Sequence, residues 1–561
     1  MTREPNVPEP IEPAAPIASA TATVEPMIQP PASATASGKG GGMMRSSAIF
    51  SGLTLISRLA GFARDIAVNA FLGASVGPAA DAYNTALSFP NLFRRIFAEG
   101  AFAAAFVPAY ARTLETDGPE AADRVARDAL SVVLLATVIL TIVAQLAMPW
   151  LMMGINIGFL DDPARFRLAV TLTQITMPYL PCMTAAALLS GVLNARGRFI
   201  VSGAYPILLN LIMLAALWLW RGDQVQAATA ASWAILVSGF AQAGLCWWAV
   251  RKAGARIGPV IPRLSPEVKL IVITAVPALI GNSGTQINVF ISQNLSSFVN
   301  GGRSWLATAD RLYQLPLGLV GVAIGVALLP RLSRAVAGGD LNQQQASMDE
   351  ALALSMALTL PAAAAIMGMP YFLIDGLFTR DEFLAFDALN TAQALFQYGW
   401  GVPAFVLIRI LAPGFFARGD TRRPMIFALV SVAVNAALAL GLFWAGMGIP
   451  GIAAATSAAA WVNVILLAAA LWRRGHWRPG TAAISRVGRI AVASLALGLL
   501  VAVASHHRAQ IEAPIAAVLD HGAKELALLM VTAVGGLVYV ALAFLTRAVT
   551  VGEIRALIRR A

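Results

Sequence analysis

From Ser46 onward the chain repeats one pattern: an apolar run of about 20 residues or more, a short polar stretch, then another apolar run. A run of that length crosses a hydrocarbon layer about 30 Å thick as a helix. Inside such a layer each backbone N–H and C=O must be satisfied within its own segment or in a closed barrel, so open sheets and irregular folds are excluded. With 58% hydrophobic and only 12% charged residues, the chain reads as an all-α polytopic membrane protein. The runs fall near 47–71, 79–110, 129–152, 166–194, 200–220, 227–250, 268–299, 305–330, 349–370, 386–416, 424–446, 451–472, 484–505 and 522–546, about 14 transmembrane helices.

The net charge of +11 is spread between the apolar runs and forms no nucleic-acid-binding stripe. Loops after even-numbered spans carry Arg112, Arg196, Arg198, Arg251, Lys252, Arg331, Arg418, Arg422, Arg423, Arg473 and Arg474, among others. The opposite loops carry only Arg165, Arg221, Arg303, Arg380, Arg508 and Lys524. Such a bias predicts a multi-pass protein with both termini in the cytoplasm. Residues 1–44 are rich in Pro, Ala, Thr and Ser, lack the order of a signal peptide, and read as a disordered cytoplasmic tail. The two cysteines, Cys182 and Cys246, lie in apolar runs and build neither a disulfide framework nor a metal site; His506, His507 and His521 read as loop residues.

A duplication spans most of the chain. Pro108 matches Pro330, Met148-Pro149-Trp150 matches Met369-Pro370-Tyr371, Pro181 matches Pro403, and Ala195-Arg196-Gly197 matches Ala417-Arg418-Gly419, at offsets of 221 or 222 residues. Six helices is an even number, so the two copies share one orientation. The expected division is 45–256 and 257–480 for two six-helix lobes around a central cavity, with 481–561 supplying two further helices. Prolines inside the spans, Pro90, Pro178, Pro181, Pro277, Pro316, Pro403 and Pro413, mark expected breaks.

Charges within the apolar runs locate the candidate site, because an ionised side chain at the bilayer centre costs roughly 2.5–3.5 kcal/mol and faces protein or water instead of lipid. The second span reads NLFRRIFAEGAFAAAFVP, residues 91–108. Arg95 and Glu99 are one turn apart and can neutralise each other, whereas Arg94 lies about 100° away with no acid at three or four positions. The first span carries Arg58, Arg64 and Asp65, and the eighth Asp310 and Arg311. Arg58 and Asp65 are two turns apart on nearly one line. Asp81 begins the second span, expected close to the outer surface as a helix N-cap or a gate residue. The balance is cationic, and the planar, permanently charged arginine fork suits phosphate oxygens. The chain shows no P-loop, zinc cluster or nucleophile elbow, so transport, not enzymatic chemistry, is expected, without a cofactor and driven by membrane potential or an ion gradient.

The segments SRLAGFARD (57–65), NLFRRIFAEGAFAAAFVP (91–108), ADRLYQLPLG (309–318), ALLPRLS (327–333) and LAPGFFARGD (411–420) closely resemble the MurJ (MviN) lipid II flippase family of the MOP exporter superfamily. The resemblance covers nearly everything after residue 44. It implies a flippase carrying lipid II, a polyprenyl-diphosphate lipid, across the bacterial cytoplasmic (inner) membrane by alternating access for peptidoglycan biosynthesis, with the cell-wall synthesis machinery as a further partner. It also implies that the last two helices form a groove for the lipid tail. Carried over by position, the substrate-binding residues are Arg58, Arg64, Arg94 and Arg311; the cavity or gate acids are Asp65, Asp81, Glu99 and Asp310; Arg95 and Gln314 support them. Many relatives have Glu where Gln314 stands, which is one departure; the long N-terminal tail is another. The alternatives are an exporter of another polyprenyl-diphosphate-linked oligosaccharide, a drug exporter, disfavoured by the cationic site, and a non-transporting scaffold for cell-wall assembly.

Overall fold

A computed structural model describes residues 40–97, 101–220, 222–325, 328–519 and 522–548. The described secondary structure is all helical, as a lipid-embedded chain requires. The first half comprises α1 (Gly40–Leu72), α2 (Ala79–Phe97), α3 (Ala101–Thr116), α4 (Gly118–Ile155), α5 (Pro163–Thr176), α6 (Tyr179–Ala195), α7 (Phe199–Leu219) and α8 (Gln224–Lys252). The second comprises α9 (Pro266–Ser296), α10 (Gly302–Gly325), α11 (Leu328–Ala337), α12 (Leu341–Gly368), α13 (Pro370–Phe378), α14 (Ala385–Gly399), α15 (Val402–Phe416), α16 (Arg422–Leu442) and α17 (Gly448–Arg473). The chain ends in α18 (Thr481–His506), α19 (Arg508–Ala516) and α20 (Ala523–Leu545).

Helix starts are written locally. Asp162, Asp223, Ser265 and Asp340 accept hydrogen bonds from the first-turn amides of α5, α8, α9 and α12, satisfying donors that have no partner within the helix. α1 begins at Gly40, within the stretch expected to be tail, because a helical ladder rising from the apolar run overrides the roughly 1 kcal/mol that each glycine costs. Among the described residues, nine stretches are long and apolar enough to cross a membrane; one of them, Arg422–Arg473, holds two helices hinged at Gly446 and Gly448.

Two of the expected proline breaks form and are equivalent in the two halves. α5 gives way to α6 at Met177–Pro178, and α14 to α15 at Trp400–Gly401. Pro181 and Pro403 then sit in the first turn of the second segment, where a missing N–H costs nothing. Pro90, Pro316 and Pro413 lie within continuous helix instead, and the side chain of Pro277 falls outside the described residues. The duplicated Ala-Arg-Gly turns also match: Gly197 and Gly419 have φ of 73° and 72°, the left-handed conformation that ends a helix and that a Cβ disfavours.

Each half buries two apolar clusters, one toward each end of its bundle. Tyr83, Met148, Met152, Leu172 and Leu217 anchor one in the first half, and Phe106, Tyr110, Leu189 and Val250 the other. Phe378, Leu395, Tyr398 and Ile452, then Leu332, Ile410, Phe415 and Leu467, do the same in the second. α18 packs along α12 and α20 along α18, so the last helices attach to the second half. Asp375 on α13, 2% exposed, takes Arg508 at 2.9 Å and Lys524 at 3.2 Å and ties α19 and α20 down.

Candidate functional site: an arginine seam and a polar seal

α1 and α10, one from each half, carry the charged seam. Arg64 is buried; its Nε and Nη2 donate to Asp65 Oδ1 at 3.1 and 2.7 Å, and its Nη1 donates to Asn210 Oδ1 at 3.1 Å. The other carboxylate oxygen, Asp65 Oδ2, lies 3.2 Å from Arg311 Nε across the seam. One carboxylate therefore serves two guanidinium groups, one from each half. They are not equivalent: the Arg311 side chain is 42% exposed, that of Arg64 8%. A turn further on, Thr308 Oγ1 donates to Asn69 Oδ1 at 3.0 Å, a second link between the same helices.

Arg58 lies on this seam two turns from Asp65. Its Nη1 is so close to α10 that a Cβ on Gly318 would stand 2.6 Å from it. Asp310 accepts a hydrogen bond from Gln314 Nε2 one turn along. A glutamate at 314 would put two carboxylates at that i,i+4 spacing; the amide supplies a donor instead. Tyr313 stacks between Tyr398, with ring centroids 4.4 Å apart, and Phe405 at 5.3 Å, fixing this face of α10. Arg94 and Arg95 lie on the helical backbone of α2, but their side chains, and Glu99 altogether, are outside the described residues. Arg58, Arg64, Asp65 and Arg311 thus share one seam, with Asp310 and Gln314 paired to each other on α10, and among these six arginine exceeds carboxylate three to two.

Asp81 is elsewhere, at the arginine-poor end of the molecule. It is fully buried in the first turn of α2 and does not cap its own helix. Its Oδ2 takes Gly301 N at 2.9 Å and Arg165 Nη1 at 3.3 Å, and its Oδ1 takes Ser304 N at 3.1 Å. Asp81 therefore caps α10 of the other half, because the two helix starts meet end to end and the orphan amides of α10 need an acceptor. Arg165 is held against the ring of Phe159, 4.5 Å from its centroid.

Around this pair the arginine-poor end of the molecule is sealed by polar contacts between the halves. Arg303 donates to Ser88 Oγ at 3.1 Å and to Asn156 Oδ1. Asn84 Nδ2 donates to Ser304 Oγ at 3.0 Å, Asn300 Nδ2 to Ser75 O at 2.9 Å, and Glu382 N to Ala70 O at 3.0 Å. Gly158 meets the backbone of Phe298 so closely that a Cβ would stand 2.4 Å from its nitrogen.

Sequence reasoning missed Arg165 and Arg303, which it counted as loop charges; both are buried. Five basic residues at this end form ion pairs or buried hydrogen bonds: Arg165 with Asp81, Arg303 with Ser88 and Asn156, Arg380 with Glu525, and Arg508 and Lys524 with Asp375; Arg167 is exposed and donates only to Pro163 O in its own helix. Arg221 is outside the described residues. The available signal was their placement at helix starts on the side where a topogenic charge has no reason to be.

The family model described as lipid II flippase MurJ matches residues 68–546, a span that begins after the α1 arginines and includes Asp81, Arg94, Glu99, Asp310 and Arg311. The chain is 44% identical over 467 residues to a probable lipid II flippase MurJ of Rhizobium meliloti (strain 1021), covering 82% of this chain and 87% of the relative. It is 33% identical over 448 residues to the lipid II flippase MurJ of Burkholderia cenocepacia, covering 78% and 85%. In fold it is similar to a lipid II flippase MurJ in an inward closed conformation, with a TM-score of 0.72 at 22% identity over 89% of this chain and 98% of that one. A multidrug resistance MATE family transporter of the MOP superfamily aligns with a TM-score of 0.59 at 17% identity, covering 76% and 97%.

Proposed function

The chain belongs to the lipid II flippase MurJ family, and from that premise we propose that it moves lipid II from the cytoplasmic to the periplasmic leaflet by alternating access, holding the diphosphate on the α1–α10 seam. It is a multi-pass membrane transporter, not an enzyme. We read fourteen spans, with six-helix lobes at 45–256 and 257–480 and the segment 481–561 supplying the groove for the polyprenyl tail. The arginine-rich loops and both termini lie in the cytoplasm, in keeping with the loop charge bias.

The observation that carries the reading is the shared carboxylate. Asp65 neutralises Arg64 in a buried contact and reaches Arg311 with its second oxygen, so the half-exposed Arg311 is the guanidinium that can exchange a carboxylate for a phosphate at least cost. Arg58 lies two turns further along the same seam. Arg94 completes the set by its position in the sequence. A diphosphate drawing on guanidinium groups from both lobes would couple headgroup binding to the way those lobes meet.

The sealed end is then the periplasmic one, with Asp81 as a gate acid that must let go of Arg165, Gly301 and Ser304 before the headgroup can leave. Membrane potential supplies a reset: a net-positive, emptied site facing outward is drawn back, each elementary charge crossing the full field contributing roughly 2.3 kcal/mol per 100 mV. No cofactor takes part in this scheme.

Purified protein in liposomes, assayed for translocation of lipid II with Arg311→Ala and Arg94→Ala, tests the proposal. Loss of translocation by folded, inserted variants is expected. Normal translocation by both would remove the clamp, and competition by a different polyprenyl-diphosphate lipid would redirect the substrate assignment.

A further inference from the structure

The duplication places one arginine at the same point in each half, but gives it a different partner. In the first half Arg196 Nη2 donates to Asp123 Oδ1 at 2.6 Å, and Nη1 donates to Ala253 O, in the segment following α8. In the second half Arg418 Nη2 donates to Gln344 Oε1 at 2.5 Å and to His476 O, in the segment following α17. Arg418 is 222 residues after Arg196, and Gln344 is 221 after Asp123. The architecture is copied while the carboxylate is replaced by an amide, so the charge of Arg418 is not cancelled by this partner.

That charge lines a cleft of about 430 Å³ at the arginine-rich end, walled by Phe415, Arg418, Asp420, Arg423, Arg474 and His476. Asp420 is the one acid in the lining and serves both Arg423 and Arg474, the latter at 3.7 Å. Three arginines against one carboxylate leave the lining two charges positive. The imidazole responds to that field: burial, followed by the charges of Arg418, Arg474 and Arg423, holds His476 below the ordinary histidine range. Its Nδ1 is buried with no hydrogen-bond partner among the described residues.

We propose that this cleft binds a phosphate-bearing anion, either the head of an acidic phospholipid or a soluble phosphate, held by the Arg423 and Arg474 guanidinium groups in the field of Arg418, whose Nη1 and Nη2 already donate to Gly414 O, Gln344 Oε1 and His476 O. The forks match phosphate oxygens two at a time. The site stands apart from the α1–α10 seam and shares no residue with it, so it does not depend on how lipid II is held.

The test uses full-length protein in nanodiscs of phosphatidylcholine, titrated in one arm with inorganic phosphate and in the other with short-chain phosphatidylglycerol, read by native mass spectrometry and thermal shift. Arg423→Gln and Arg474→Gln, whose side chains are 40% and 38% exposed, keep the fold. Each should weaken binding by about tenfold or more, since each removes a charge-assisted contact. Arg473→Gln, outside the lining, should leave it unchanged. Gln344→Glu, which restores the carboxylate of the first half, should weaken binding with every arginine in place. Saturation by phosphatidylglycerol alone identifies the lipid head; saturation by both identifies a general phosphate site. No saturable binding in either arm, or equal binding by wild type and both cleft variants, overturns the proposal.

Discussion

Arg165 Nη1 lies 3.3 Å from Asp81 Oδ2 where neither side chain sees more than a trace of solvent, and the same carboxylate caps α10 of the opposite half. Two jobs fall on one buried acid. It neutralises a cation, and it caps the start of a helix in the other half of the chain.

Asp81→Asn should therefore cost more than an ordinary surface substitution. Removing one partner of a buried pair leaves an uncompensated charge and destabilises by about 3–5 kcal/mol. The expected outcomes are a lower Tm of the purified protein and more labelling of a cysteine placed at Ser75 or Asn300 by a membrane-impermeant thiol reagent. Unchanged labelling would show that the seal does not rest on this residue.

Arg311→Lys tests fork against charge. Lysine keeps the positive charge but cannot bond two oxygens in one plane. Loss of a charged hydrogen bond worth about 1.5–3 kcal/mol predicts roughly tenfold to hundredfold weaker lipid II binding. Binding of a soluble diphosphate analogue to the variant, measured calorimetrically, checks it; an affinity equal to wild type would show that the charge at 311, not the fork, is what counts.

Asp375→Asn should loosen the C-terminal helices and little else. Arg508 and Lys524 lose their shared carboxylate, while α18 keeps its apolar packing along α12. Limited proteolysis should cut the segment between residues 506 and 523 several times faster, with the rest of the chain protected as before.

His476 predicts an acid-side loss of stability. Its folded-state value is lowered by burial and by nearby arginines, so between that value and the ordinary histidine value near 6.5 the unfolded chain binds the extra proton. The contribution is fully present above the unfolded value and is lost as pH falls through the folded one. Tm measured from pH 7.5 down to pH 5 should fall further for wild type than for His476→Gln, and parallel curves would rule the imidazole out as the cause.

What the amino-acid sequence determined by itself is whatever hydrocarbon imposes locally. Apolar run length fixed an all-helical membrane protein, Asp and Ser at run starts fixed the caps, and the 222-residue offset showed up as matched helix breaks and as glycines of equal φ. The seam was legible too, because a charge inside an apolar run stands out against its neighbours. Which atoms meet was not. Asp81 and Arg165 are 84 residues apart, and their pairing depends on how α2, α5 and α10 cross, a relation no local periodicity encodes. Only the packed helices decided that Asp65 would divide itself between α1 and α10 and that Asp81 would be buried. In a low-dielectric interior each charge is drawn to whichever partner the crossing geometry brings within reach.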